Sequence, residues 1–206
     1  MIMKPLATLI AFLGLTVATA LFAEADKPLL HERALPAVAA PSFAEPLAAT
    51  FAAVKGKWIP KDGVLSIVDI PAEKHIPVLH HKVGLASAVI DVEFRFDGAG
   101  SFLVGCDSDK HVGRVVINAK GLSIAEDSVK PSHTIATLPL AVKPGEWHRL
   151  RVEWKGDQMA ARLDGKELRA QHAFLATAKA RSWLAATQTV KVRNLKINGE
   201  SAAEKP

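Results

Sequence analysis

Hydrophobic and polar residues alternate with a period of two along much of this chain. In the most regular stretch, Leu150, Val152 and Trp154 alternate with charged residues. This period is typical of a strand with one buried and one solvated face. Because turn-forming residues follow at 155–157 and again at 164–165, the stretch is predicted to form two antiparallel strands and a second turn.

Short apolar runs separated by Gly, Asp, Asn and Pro continue through most of the chain after residue 58, and no helical period persists for three turns. The other predicted strands are 64–70, 88–96, 102–106, 113–117, 122–125, 134–142 and 190–197. About ten such strands without helical crossovers predict an all-β fold, an antiparallel β-sandwich or jelly roll.

The final strand changes the face on which its apolar residues fall. Val190 and Val192 are even-numbered, whereas Leu195 and Ile197 are odd-numbered, so a regular strand would direct the two pairs to opposite faces. One extra residue at Arg193-Asn194 would return both pairs to one face. The sequence therefore predicts a β-bulge at this point.

The beginning of the chain differs in composition from the rest. Residues 1–25 combine Lys4, an apolar run and a small-residue cleavage site, which predicts a secretory signal peptide. An uncleaved anchor is the alternative, because the run approaches the roughly 18 to 20 residues that span a bilayer. Residues 26–49 carry four prolines and are expected to form a Pro/Ala-rich linker or an N-terminal arm.

These features predict an exported protein, periplasmic or extracellular, with no membrane span once the signal peptide is cleaved. The β-sandwich is expected at 50–199 and a disordered C-terminal tail at 200–206. The net charge of +5 is spread along the chain, which argues against a nucleic-acid partner. Cys106 is the single cysteine, so no internal disulfide can form, and we expect it to be a small buried residue.

The polar face of the strand at 88–96 carries the strongest candidates for chemistry. Asp91 and Glu93 project side by side from alternate positions, as the two carboxylates of a glycosidase must. Arg95 follows them and would hold a neighbouring carboxylate ionised rather than raise its pKa. A solvated sheet face is therefore the favoured interpretation, and Glu93, with Asp91, is the best candidate if a catalyst exists.

Candidate sugar-binding residues lie outside the Asp91 and Glu93 pair. Trp183 is an open candidate for stacking on a pyranose ring, and Arg151 and Arg95 are candidates for binding its hydroxyls. His80 and His81 point to opposite faces of a strand, so they cannot both bind one ion without a kink. The sequence accordingly predicts no metal site and no cofactor.

Three segments resemble the concanavalin A-like lectin/glucanase superfamily, specifically an exported bacterial group called 3-keto-disaccharide hydrolases. They are residues 58–65, 145–165 and 192–197, and with 89–96 they span nearly all of 55–198. The resemblance implies two curved antiparallel sheets, a face that meets sugars in relatives, and action on oxidised disaccharides.

Two segments that border the cleft in that group, 100–105 and 183–188, depart from its pattern. We therefore expect a carbohydrate-engaging domain, with an oligo- or polysaccharide as partner. The first alternative is a glycoside hydrolase acting on 3-keto-disaccharides or β-glucans through Asp91 and Glu93. The second alternative is a non-catalytic structural or protein-binding domain of the cell envelope.

Overall fold

The structure, a computed structural model, describes residues 27–201, so the predicted signal peptide and the last five residues lie outside it. Within this range the chain forms fifteen strands and two short 3-10 helices, Pro71–Glu73 and Ala173–Ala176. The strands are β1 (Ala37–Ala39), β2 (Phe51–Lys55), β3 (Lys57–Lys61), β4 (Val64–Val68), β5 (Val78–His81), β6 (Leu85–Phe96), β7 (Ser101–Asp107), β8 (His111–Asn118), β9 (Gly121–Glu126), β10 (His133–Pro139), β11 (His148–Lys155), β12 (Gln158–Leu163), β13 (Lys166–Gln171), β14 (Arg181–Ala186) and β15 (Val190–Ser201). Neither helix has the length and apolar character needed to cross a membrane.

The strands form two antiparallel sheets packed face to face. The eight-stranded sheet has the order β13-β12-β11-β6-β15-β4-β3, with β1 paired to β15, and the seven-stranded sheet has the order β10-β9-β8-β7-β14-β5-β2. This arrangement confirms the predicted antiparallel β-sandwich. The predicted hairpin is β11 and β12, in which Leu150 pairs with Leu163 and Trp154 with Met159.

The core between the sheets follows the alternation of the sequence. Ile90, Val92, Phe94 and Phe96 of β6 are buried there, and so is Trp154 of β11. Each such side chain contributes about 1.5 to 3 kcal/mol to folding by leaving water. The polar residues between them are consequently directed to the outer face of the eight-stranded sheet.

The predicted β-bulge in β15 is confirmed. The register with β6 shifts between Arg193 and Lys196, and Asn194 takes a left-handed backbone conformation with φ of 53°. Asparagine tolerates this conformation better than most residues. Because of the bulge, the apolar residues on both sides of it, from Val192 to Ile197, enter one core.

Residues 27–49 pack against the sandwich as an arm. The carboxylate of Glu153, which is fully buried, accepts the backbone N–H groups of Leu29 and Leu30 at 3.0 and 2.8 Å. Further along the arm, β1 pairs with β15, and Phe43 is buried in the core. Pro36 lies just before β1 and Pro41 just after it, outside any helix, so neither proline interrupts a helical hydrogen bond.

Cys106 is buried on β7, as expected. Burial raises the pKa of its thiol to about 12, and its sulfur lies 3.7 Å from the carbonyl oxygen of Gly113. The thiol is therefore protonated at neutral pH, which excludes it as a nucleophile.

Candidate functional site

A groove of about 520 Å³ lies on the outer face of the eight-stranded sheet, where β6 runs between β11 and β15. Its position follows from strand alternation, since the residues opposite the core on these strands are charged. It is lined by Asp91, Val92, Glu93, Arg149, Arg151, Asn194 and Lys196. Three of the residues predicted from the sequence, Asp91, Glu93 and Arg151, are thus brought together.

Asp91 is held by an arginine on the neighbouring strand. Its cross-strand partner on β11 is Arg151, whose Nε and Nη2 donate to the two carboxylate oxygens at 2.8 Å each. Arg151 also lies 4.0 Å from the buried carboxylate of Glu153. On the other side, the cross-strand partner of Asp91 is Lys196. This bidentate geometry fixes both groups of the Asp91–Arg151 pair.

Glu93 is held by the bulge in β15. The Nε of Arg193 donates to one carboxylate oxygen at 2.6 Å, and the Nδ2 of Asn194 donates to the other at 3.0 Å. Partial burial alone would raise the pKa of Glu93, but these two hydrogen bonds and the charges of Arg193 and Arg149 outweigh it and lower the pKa below its usual value. Glu93 is therefore ionised at neutral pH.

Arg95 lies further along β6 and does not line the groove. It donates two hydrogen bonds to Asp97, at 2.7 and 3.2 Å, and its guanidinium carbon lies 5.2 Å from the centre of the Trp147 ring. The guanidinium of Arg193 lies closer to the same ring, at 4.0 Å. Trp147 thus packs beneath arginine side chains beyond one end of the groove, and a cation–π contact of this kind helps to hold Arg193 toward Glu93.

Trp183 is placed on the other sheet. It lies on β14, is directed away from the core, and is only 5 % exposed. Its indole N–H donates to Asp107 at 2.5 Å. The ring lies directly over Gly105 of β7, where a side chain in place of the glycine would clash with it. Trp183 therefore does not join Asp91, Glu93 and Arg151, and its side chain is largely buried.

Sequence reasoning missed three groove residues, Arg149, Asn194 and Lys196. Arg149 precedes Arg151 by two positions on the same strand, so the alternation that placed Arg151 would have placed it as well. Asn194 and Lys196 depend on the bulge and on the pairing of β15 with β6 rather than another strand. No local pattern predicts that pairing.

His80 and His81 point to opposite faces of β5. His81 is buried against Phe51, with ring centres 4.8 Å apart, whereas His80 pairs across the sheet with Trp183 on the outer side. His75 is exposed on the loop before β5. These three do not form a metal-binding group within the part of the chain that the structure covers.

The sheet order and the packing of the two sheets define an antiparallel β-sandwich of the jelly-roll type. No protein-family model matches the sequence, and no curated protein matches it. Solved structures with a similar fold include the carbohydrate-binding module CBM66 from Bacillus subtilis, with a TM-score of 0.60 and 12 % identity over 73 % of this chain and 96 % of the module.

Two further structures are similar over most of the sandwich. The exoplasmic/lumenal domain of VIP36, in its Ca²⁺/Man3GlcNAc-bound form, has a TM-score of 0.56 and 11 % identity over 79 % of this chain and 88 % of that domain. The family 7 alginate lyase A1-II′ has a TM-score of 0.50 and 10 % identity over 68 % and 81 % of the two chains. At such low identity these similarities establish the fold alone.

Proposed function

We propose that this protein is an exported carbohydrate-binding domain that holds its ligand in the groove on β6, β11 and β15. The observation that carries the proposal is the convergence of Asp91, Glu93 and Arg151 in one depression of about 520 Å³. This volume is within the range of about 300 to 1,000 Å³ that is usual for small-ligand sites.

The chemistry of the lining suits sugar hydroxyls. A hydroxyl both donates and accepts hydrogen bonds. The carboxylates of Asp91 and Glu93 accept, while the guanidinium, amide and ammonium groups around them donate. Because Arg151 and Asp91 already fix one another, as do Arg193 and Glu93, these groups lose little conformational freedom when a ligand binds.

The fold is consistent with this proposal. CBM66 is named as a carbohydrate-binding module, and the VIP36 domain was solved with Man3GlcNAc bound. Together with the resemblance of three sequence segments to the 3-keto-disaccharide hydrolase group, they favour an oligo- or polysaccharide as the ligand. We also propose that this protein and the 3-keto-disaccharide hydrolase group share a common origin.

Binding is favoured over hydrolysis by the state of the two carboxylates. Glycoside hydrolysis requires one carboxylic acid that is protonated at the working pH. Glu93 is ionised because its pKa is lowered by hydrogen bonds and nearby cations, and Asp91 is engaged by the bidentate contact with Arg151. Neither is arranged as a general acid.

A glycoside hydrolase acting on 3-keto-disaccharides or β-glucans is the second candidate, and one observation favours it. Asp91 and Glu93 line the same groove from alternate positions of β6. Such positions lie about 7 Å apart, close to the carboxyl separation of roughly 6.5 to 9.5 Å in inverting enzymes. Hydrolysis of these substrates that is abolished in Glu93→Gln, with folding retained, would support this candidate.

The test of the binding proposal is a glycan array followed by calorimetric titration with the best ligand. Lys196→Ala should weaken binding about tenfold or more, because a hydrogen bond to a charged group contributes about 1.5 to 3 kcal/mol and 1.4 kcal/mol corresponds to a factor of ten. Lys191→Ala is the matched control. Lys191 lies on the same strand and its ammonium donates to Ser66, outside the groove.

Two outcomes would count against the proposal. Equal affinities in the Lys196 and Lys191 variants would place the ligand elsewhere on the molecule. Failure to bind any glycan on the array would favour the structural or protein-binding role in the envelope.

A further inference from the structure

A second cluster of polar side chains lies at one end of the seven-stranded sheet, and none of its members lines the groove. Glu126 ends β9 and pairs directly with His133, which begins β10. His172 precedes the 3-10 helix Ala173–Ala176. One ligand atom from each of these three residues lies within 4.8 Å of the others.

Contacts outside the cluster also hold the loop between β9 and β10 in place. Asp127 accepts hydrogen bonds from Arg114 at 2.7 and 2.6 Å, and Ser132 donates to Asp127 at 2.5 Å. On the other side, the backbone N–H of His172 donates to Asp157. Both histidines are therefore carried by backbone that the fold already positions near Glu126.

Glu126 is 1 % exposed, and a carboxylate at such a site must be compensated by hydrogen bonds or by positive charge. Its Oε2 accepts the backbone N–H of Ser128 at 2.6 Å. The two imidazoles also face the carboxylate, with the Nδ1 of His133 at 3.4 Å from Oε1 and the Nδ1 of His172 at 3.8 Å from Oε2.

These separations differ from those of the protein's direct histidine–carboxylate hydrogen bonds. His111 approaches Asp107 at 2.8 Å, and His148 approaches Asp164 at 2.6 Å. A charge-assisted hydrogen bond is about 2.7 to 2.9 Å long. In contrast, two ligand atoms of a tetrahedral zinc ion with bonds of about 2.0 to 2.1 Å are separated by about 3.3 Å. Both separations around Glu126, each to a different carboxylate oxygen, are longer than a direct hydrogen bond and leave room for an ion between the carboxylate and the imidazoles.

The hydrogen bonding of His172 supports the same conclusion. Its Nδ1 accepts the backbone N–H of Phe174 at 3.3 Å, so this nitrogen presents a lone pair rather than a proton in that arrangement. The same nitrogen lies 3.8 Å from the Glu126 carboxylate, so no proton on it forms a hydrogen bond to Glu126 in that arrangement. A metal ion that takes this nitrogen would replace one long hydrogen bond and would balance the buried charge.

We propose that Glu126, His133 and His172 bind a zinc ion, with a fourth coordination position left open to water or to a ligand. Two imidazoles and one carboxylate are a ligand set that suits Zn²⁺, and three protein ligands are typical of zinc sites with an open position. The ion can enter from solvent, because the side chains of His133 and His172 are 59 % and 35 % exposed.

The test loads the EDTA-stripped protein with Zn²⁺, removes free metal by gel filtration and measures zinc by mass spectrometry. The wild-type protein should retain one zinc per chain and melt at a higher temperature with zinc than without it. His133→Ala and His172→Ala should each weaken zinc binding at least tenfold. His75→Ala removes an exposed loop histidine and should bind like the wild type.

Cobalt provides a second measurement. Co²⁺ should give the intense visible absorption of a four- or five-coordinate ion in the wild-type protein, and this absorption should be lost in His133→Ala. The His133 side chain is exposed, so its truncation should leave the metal-free melting temperature nearly unchanged.

Absence of retained zinc in the wild-type protein would overturn the proposal, and so would equal retention in the His133 and His172 variants. Either result would mean that the two histidines lie beside Glu126 without an ion between them. The proposed zinc site shares no residue with the groove, so Lys196→Ala should retain zinc fully.

Discussion

At the scale of single residues, one buried carboxylate organises the outer face of the seven-stranded sheet. Asp107 accepts hydrogen bonds from His111 at 2.8 Å, from Trp183 at 2.5 Å and from Arg181 at 3.5 Å. Burial alone would raise the pKa of Asp107, but these donors and charges lower it. In turn, the hydrogen bond to Asp107 raises the pKa of His111 above its usual value.

This pair predicts a pH-dependent stability. The folded-state pKa of His111 is above its unfolded value, so its contribution is full below that unfolded value and is lost as the pH rises through the folded one. Wild type should be more stable than His111→Gln at about pH 5, and the difference should vanish by about pH 9. Because the side chain is 57 % exposed, solvent screening limits the effect to about 1 kcal/mol.

Urea unfolding at a series of pH values measures this difference. His75→Gln is the control, because that exposed imidazole lies on the loop before β5, 2.7 Å from the backbone carbonyl oxygen of the next residue, Ile76. A stability difference that stays constant with pH would show that His111 acts through packing rather than through its charge.

At the scale of elements, the bulge in β15 joins the core to the groove. It keeps the apolar residues of the strand on one face and also brings Arg193 and Asn194 to Glu93. One extra residue therefore serves both the packing of the sandwich and the charge state of the site.

Two substitutions at Asn194 separate these roles. Both Asn194→Gly and Asn194→Ala remove the hydrogen bond to Glu93, so the pKa of Glu93 should rise in both, as an NMR titration would detect. Only alanine is strained at a φ of 53°, so it should be less stable than glycine by about 1 kcal/mol in urea unfolding. Equal stability of the two variants would mean that the bulge relaxes when its asparagine is removed.

At the scale of the whole molecule, the arm packs on the sandwich, and we expect the two to unfold together. Phe43 is 1 % exposed and packs in the core, although it precedes the sandwich boundary expected at residue 50. Leu29 and Leu35 are also buried, and the side-chain amide of Asn198 on β15 donates to the carbonyl of Leu35.

A chain that starts at residue 50 should therefore be much less stable than one that starts at residue 27. Loss of a buried phenylalanine side chain alone costs about 3 to 5 kcal/mol. Denaturant unfolding followed by tryptophan fluorescence and by circular dichroism compares the two chains. The longer chain should unfold in a single transition by both probes. Equal stability of the two chains would show that the arm is only a tether.

The sequence determined the features that depend on near neighbours. The alternation of apolar and polar residues predicted the core residues of β6 and β11. The change from even-numbered to odd-numbered apolar positions predicted the bulge in β15. The spacing of Asp91 and Glu93 predicted that they share one face. These features follow from the period of two in a strand, which any stretch of a few residues reveals.

Tertiary structure alone decided which distant groups meet. The contact between Glu153 and Leu29 joins residues 124 positions apart, and the contact between Glu93 and Asn194 joins residues 101 positions apart. The order of strands in the sheets likewise places Trp183 on the sheet that does not carry the groove, and the fold brings His172 next to Glu126. Strand pairing depends on how all the apolar faces are buried together, so no local pattern of residues encodes it.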